Sequence, residues 1–145
     1  MTSSSMRIRR AMAGVALVSI GALFTGPSSL AAGGDAGAQV MPVRSEKLPN
    51  VPGKSVTAIL VSYAPGGKSP AHHHAGSVLA YVLSGAIRSE NSATGPAKVY
   101  QAGESFFEPP GSEHLVSENA SATEPASLLA IFVADDGAQL TTFDH

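Results

Sequence analysis

The stretch "PAHHHAGSVLAYVLSG", residues 70–85, holds three consecutive histidines followed by an apolar run that ends in glycine. Side chains alternate faces along a strand, so His72 and His74 share one face and His73 takes the other. The same parity groups Val78, Ala80 and Val82 on one face of the strand that follows. The first histidine pair and an apolar wall can therefore look into one interior. A triple histidine alone is more often a solvated loop feature, because single short motifs have a high false-positive rate. The spacing of the surrounding residues decides the matter.

Outward from this stretch the pattern is β. "VTAILVSY" (56–63) is rich in β-branched and apolar residues, and "SVLAYVLS" (77–84) and "SLLAIFVA" (127–134) repeat that character. Shorter strands are expected at "AIRSE" (86–90), "AKVYQ" (97–101), "SFFE" (105–108), "HLVSE" (114–118) and "QLTTF" (139–143). "PGGKSP", "NSATGP" and "PPGSE" read as turns or loops. No helix of ten or more residues is expected in this region. Many short strands with turn signals at regular spacing predict an all-β sandwich or barrel.

The glycine and histidine spacing is specific. Gly66 is followed by five residues, then His72, one residue and His74, and the stretch closes at Gly85. After seventeen residues comes Gly103, then five residues, Pro109, one residue, Gly111, two residues and His114. With both motifs present and in order, the chain resembles the cupin superfamily over roughly residues 56–134. The resemblance implies a double-stranded β-helix, or jelly-roll barrel. It also implies that His72, His74 and His114 are metal ligands for one divalent transition metal. Three neutral imidazoles accept Fe, Mn, Ni, Cu or Zn without choosing among them.

One departure bears on the chemistry. The family places a glutamate seven residues before the glycine that closes the first motif, and here that position is Val78. Its neighbour Ser77 is a weak substitute. Glu108 is a candidate replacement carboxylate, as ligand or as acid/base group. If 105–108 and 114–118 form a hairpin, a one-residue change in register turns Glu108 inward or outward. The asparagine expected near the end of the second motif stands one place late, at Asn119. Asn119–Ser121 also matches a glycosylation sequon, which carries little weight beside the bacterial style of the sequence. Phe106, Phe107, Tyr81 and Tyr100 are expected to pack in the core.

The chain has 145 residues and no cysteine, which excludes thiol catalysis and thiolate metal sites. It begins with Arg7, Arg9 and Arg10, an uncharged apolar run over 11–26, and small residues at Ser29, Ala31 and Ala32. That layout is a signal peptide over 1–32 and predicts export, to the periplasm, envelope or medium. Without residues 1–31 the net charge moves from −2 to −5, which argues against a nucleic-acid partner. The mature form is expected to have no membrane partner. Residues 33–50, Gly/Ala-rich at their start, read as a flexible leader, and 51–145 as the domain. His145 at the terminus is expected to be disordered.

Three functions follow from the resemblance. The first is a mononuclear metal enzyme acting on a small organic molecule, of dioxygenase or isomerase type. The second is a barrel that binds a small molecule or metal without turnover. The third is a structural barrel, since family members often form a homodimer through sheet edges. Fold alone does not choose among them.

Overall fold

The computed structural model describes residues 37–144. The expected signal peptide and His145 lie outside the described residues. Within them every regular element is a strand. The eleven strands are β1 (Ala38–Lys47), β2 (Lys54–Tyr63), β3 (Lys68–Ser69), β4 (His72–His74), β5 (Ser77–Ser84), β6 (Ala86–Asn91), β7 (Gly95–Gln101), β8 (Ser105–Glu108), β9 (Glu113–Asn119), β10 (Ala126–Asp135) and β11 (Thr141–Phe143). They form two antiparallel sheets. One has the order β1-β2-β10-β5-β8, and the other β11-β4-β9-β6-β7 with β3 paired to β9. Strands next to each other in the sequence are repeatedly sent to opposite sheets, as a jelly roll requires.

The core lies between the sheets. Alternation along β5 buries Val78, Ala80 and Val82 and leaves Leu79, Tyr81 and Leu83 exposed. Along β10 the same period buries Ala126, Leu128, Ala130, Phe132 and Ala134. Ile87 and Phe106 complete the apolar interior, and Tyr100 packs on its margin. Phe107 and Tyr81 depart from the expected core placement: they sit on the outer face, 48% and 42% exposed. Strand parity explains this, because each precedes or follows a residue already committed to the interior.

The leader read over 33–50 is corrected from residue 38 on, and residues 33–36 lie outside the described residues. Residues 38–47 form β1, which pairs with β2 from Ala38↔Tyr63 to Lys47↔Ser55. Glycine and alanine at its start masked the signal. Its own alternation is weak because nearly all of its side chains are exposed on both faces of an edge strand. β2 supplies the ladder that holds it.

Gly85 joins β5, in one sheet, to β6, in the other. Its φ is +66°, and a Cβ there would lie 2.6 Å from the carbonyl oxygen of Pro125. Both the left-handed backbone and the close approach demand glycine. Gly85→Ala should therefore lower unfolding free energy by about 2 kcal/mol or more, measured by urea denaturation. An unchanged midpoint would contradict the assigned geometry.

Candidate metal centre

Three histidines and one glutamate meet inside the barrel. β4 buries His72 and His74, each 6% exposed, and turns His73 outward towards Asp144. β4 and β9 are neighbours in one sheet, and their register pairs His72 with His114. The three imidazoles thus come from adjacent strands of the same sheet. One nitrogen from each can be chosen so that all lie within 4.8 Å of one another.

His114 owes its direction to a bulge. Along β9, Val116 pairs with Glu90 but His114 pairs with Asn91, so Leu115 is an extra residue. The insertion shifts parity, and His114, Ser117 and Asn119 all turn inward while Leu115 is exposed. A regular strand would have sent His114 to the surface.

The expected β8–β9 hairpin is not what forms. β8 pairs with β5 in one sheet, and β9 pairs with β4, β6 and β3 in the other. Pro109–Gly111 is instead a corner between sheets. Gly111 donates its N–H to the His74 carbonyl, and Ser112 Oγ donates to the Pro109 carbonyl. The inward or outward placement of Glu108 is settled by β5, not by His114. Val78 and Glu108 are cross-strand partners, and directly opposed residues share a face. Glu108 is therefore interior, 3% exposed. Ser77 lies on the opposite face of β5 from Val78 and cannot replace it there.

The ring orientations follow from hydrogen bonds. A carbonyl can only accept, so His72 donates from Nδ1 to the Pro70 oxygen at 2.7 Å. His74 donates from Nδ1 to the Leu140 oxygen at 3.1 Å, with Thr141 Oγ1 also at 3.1 Å. Both rings thereby keep an Nε2 lone pair free, the arrangement in which a backbone carbonyl fixes a metal-binding imidazole. His114 Nε2 lies 2.9 Å from Ser89 Oγ, leaving Nδ1 towards Glu108. Phe132 meets the His74 ring edge-on, with centroids 5.0 Å apart, and Phe143 packs on His72. None of these supports, Ser89, Leu140 or Thr141, has a motif of its own. For Ser89 the only sequence signal is its parity with Ile87.

Burial also sets the charges. Desolvation lowers the His72 pKa to about 4, with the neighbouring His114 and His74 adding to the shift. Desolvation likewise lowers that of His74, against the pull of Glu108. For Glu108 burial acts to raise the pKa, but His114, His74 and His72 together outweigh it and hold the carboxyl below its ordinary range. His72 and His74 are thus neutral beside an ionised Glu108, the protonation state in which these groups can hold a cation.

The donor set fits a metal ion. Glu108 Oε2 and His114 Nδ1 are fully enclosed and have no hydrogen-bond partner, although buried polar atoms are nearly always paired. A cleft of about 540 Å³ is lined by residues 68–71 and 115–118, which flank His72 and His114 along their strands.

Two β-sheets closed over an inward His-x-His pair and a third histidine define a barrel of the cupin type whose interior could hold a metal. The family model for the cupin domain matches residues 59–132, and the chain belongs to that family. No curated protein matches. Among solved structures, an uncharacterized conserved protein with a double-stranded β-helix domain from Klebsiella pneumoniae aligns with TM-score 0.59 and 19% identity, over 77% of this chain and 87% of that one. The DMSP lyase DddQ from Ruegeria pomeroyi aligns with TM-score 0.59 and 18% identity, over 74% of this chain and 51% of that one. An oxalate oxidase in complex with the substrate analogue glycolate gives TM-score 0.59 and 23% identity, over 77% and 57%. The chain spans about half the length of these two enzymes. At these identities the likeness establishes the fold.

The pKa directions give a sign for acid stability. The unfolded chain binds a proton at His72 from about pH 6.5 downward, whereas the folded chain does so only near 4. Stability of the metal-free protein should therefore fall as pH drops through that window, by up to about 1.4 kcal/mol per pH unit for this group. The lowered Glu108 acts in the same direction at still lower pH. Urea melts of metal-free protein at pH 7.5, 6 and 5 would check this; equal stability at all three would refute the neutral, buried His72.

Proposed function

We propose that this cupin holds one divalent transition metal on His72, His74 and His114 and acts on a small organic molecule, in a reaction of dioxygenase or isomerase type. The observation that carries the reading is the set of free nitrogens converging in an interior where Glu108 Oε2 and His114 Nδ1 lack partners. A bound metal would supply Lewis-acid polarisation of a substrate oxygen, or redox chemistry if it is Fe, Mn or Cu. The chain's own contribution is definite. The Pro70 and Leu140 carbonyls orient two imidazoles, and Val78, Ala80, Val82 and Phe132 keep the surroundings dry. The carboxylate of Glu108 gives the interior a group able to accept a proton. The alternative, a barrel that binds metal or a small molecule without turnover, uses the same ligands and lacks only the open positions on the metal.

Elemental analysis of protein expressed in medium supplemented with Fe, Mn, Ni, Cu and Zn tests the reading. It should find close to one equivalent, and His114→Ala should lose most of it. Protein without stoichiometric metal, or full retention in His114→Ala, would overturn the ligand set.

The same reading takes the mature chain as exported and as a homodimer. Export rests on the basic, apolar and small-residue order of residues 1–32. The homodimer rests on the outer face of the β1-β2-β10-β5-β8 sheet, where Met41, Leu79, Tyr81, Leu83, Phe107 and Val133 are each 39–55% exposed. A second copy is the fitting occupant because a flat apolar face is complementary to itself about a two-fold axis. Light scattering should give twice the mature monomer mass, and Leu79→Glu combined with Phe107→Glu should halve it. A monomeric wild type would end this proposal.

A further inference from the structure

We propose that Glu108 is a direct metal ligand, taking over from β8 the carboxylate role that position 78 on β5 no longer fills. This rests on the metal reading above and adds a fourth donor from the opposite sheet.

Three observations converge. Val78 and Glu108 are paired residues of neighbouring antiparallel strands, so their side chains start side by side on the same interior face. Val78 is 1% exposed and Glu108 is 3% exposed, which places both inside the barrel. A carboxylate moved from one to the other stays within reach of the same point. The second observation is distance. Glu108 Oε2 lies 2.9 Å from His114 Nδ1 and 3.7 Å from His74 Nε2. The third is enclosure: Glu108 Oε2 and His114 Nδ1 are both fully buried and face each other across the interior. Two buried polar atoms this close, cut off from water, need a proton or a cation between them, and a metal ion replaces the proton.

The geometry also explains why Val78 is tolerated. The carboxylate count of the site is conserved while its strand of origin changes. Position 78 then contributes apolar packing against Phe132, its cross-strand partner on β10.

The test is a titration of metal-free protein with Zn²⁺ and with Co²⁺, followed by calorimetry. Wild type reads the metal proposal itself: failure to bind there sinks that reading and this one together. Given wild-type binding, Glu108→Gln should weaken affinity at least tenfold. The double variant Glu108→Val with Val78→Glu should recover affinity to within about threefold. A Glu108 that only positions His114 would not be rescued from β5, so weakening without rescue overturns the inference. So does wild-type affinity in Glu108→Gln. Should the double variant not fold, infrared difference spectra of Zn-loaded minus metal-free wild type decide. Carboxylate stretching bands that shift on binding and vanish in Glu108→Gln support direct ligation; their absence in wild type refutes it.

Discussion

Placing a carboxylate and three imidazoles in a sealed apolar interior is the constraint on which the rest of this barrel depends. Each group loses its water, and an isolated buried charge would be prohibitive. The protein meets the cost by neutralising His72 and His74 and fixing each with a backbone carbonyl. The carboxylate instead stays ionised, because His114 above all favours its charged form over the cost of burial. What the chain leaves unmet is one oxygen and one nitrogen facing each other. That remainder is local, and a small cation answers it. Tyr63 shows the contrast: its hydroxyl is also buried but is satisfied by Ser117 at 2.7 Å and Ser69 at 3.0 Å. Among the described residues, the buried side-chain atoms without a partner lie at the centre.

The sheets serve that centre in different ways. The sheet containing β4 and β9 supplies all three imidazoles, and its bulge at Leu115 turns the third inward. The sheet containing β5, β8 and β10 supplies the apolar wall and the carboxylate. A jelly roll allows this division because β8 and β9 fall in different sheets, so a corner of a few residues carries the chain from Glu108 to His114. Pro109–Gly111 is that corner, and the bond from Gly111 N–H to the His74 carbonyl ties it to the first histidine pair.

Much of this was legible in the sequence, for physical reasons. The long strands were visible because one face of each is buried, and burial imposes a period of two on composition. β5 and β8 match their expected limits residue for residue. The parity of His72, His73 and His74 was readable for the same reason. β1 was not, because an edge strand with nearly every side chain exposed carries no alternation. The bulge at Leu115 was not, since one extra residue leaves no mark unless the partner strand is known. The hairpin expected between β8 and β9 failed because proximity in sequence around a Pro-Pro-Gly turn was taken for pairing. In a two-sheet fold such turns also serve as corners. Asn119 shows the limit of a motif without context. Its side chain is buried, with Nδ2 donating to the Ala64 and Glu124 carbonyls, so it clasps two loops and offers no exposed amide for a glycan.

The position of Glu108 carries a wider point about reading metal sites from motifs. A motif records which strand a ligand comes from, but a metal responds only to where the donor atom lies. In an antiparallel sheet, directly paired residues are about 5 Å apart and point the same way. Two such positions are nearly equivalent addresses for one long side chain. A glutamate can therefore disappear from one strand and be supplied by its neighbour while the cavity keeps the same charge and shape. Linear spacing registers this as a lost ligand. Register, which pairs Val78 with Glu108, shows a carboxylate on the same interior face. The valine then becomes intelligible as the residue that fills the room a relocated carboxylate no longer needs.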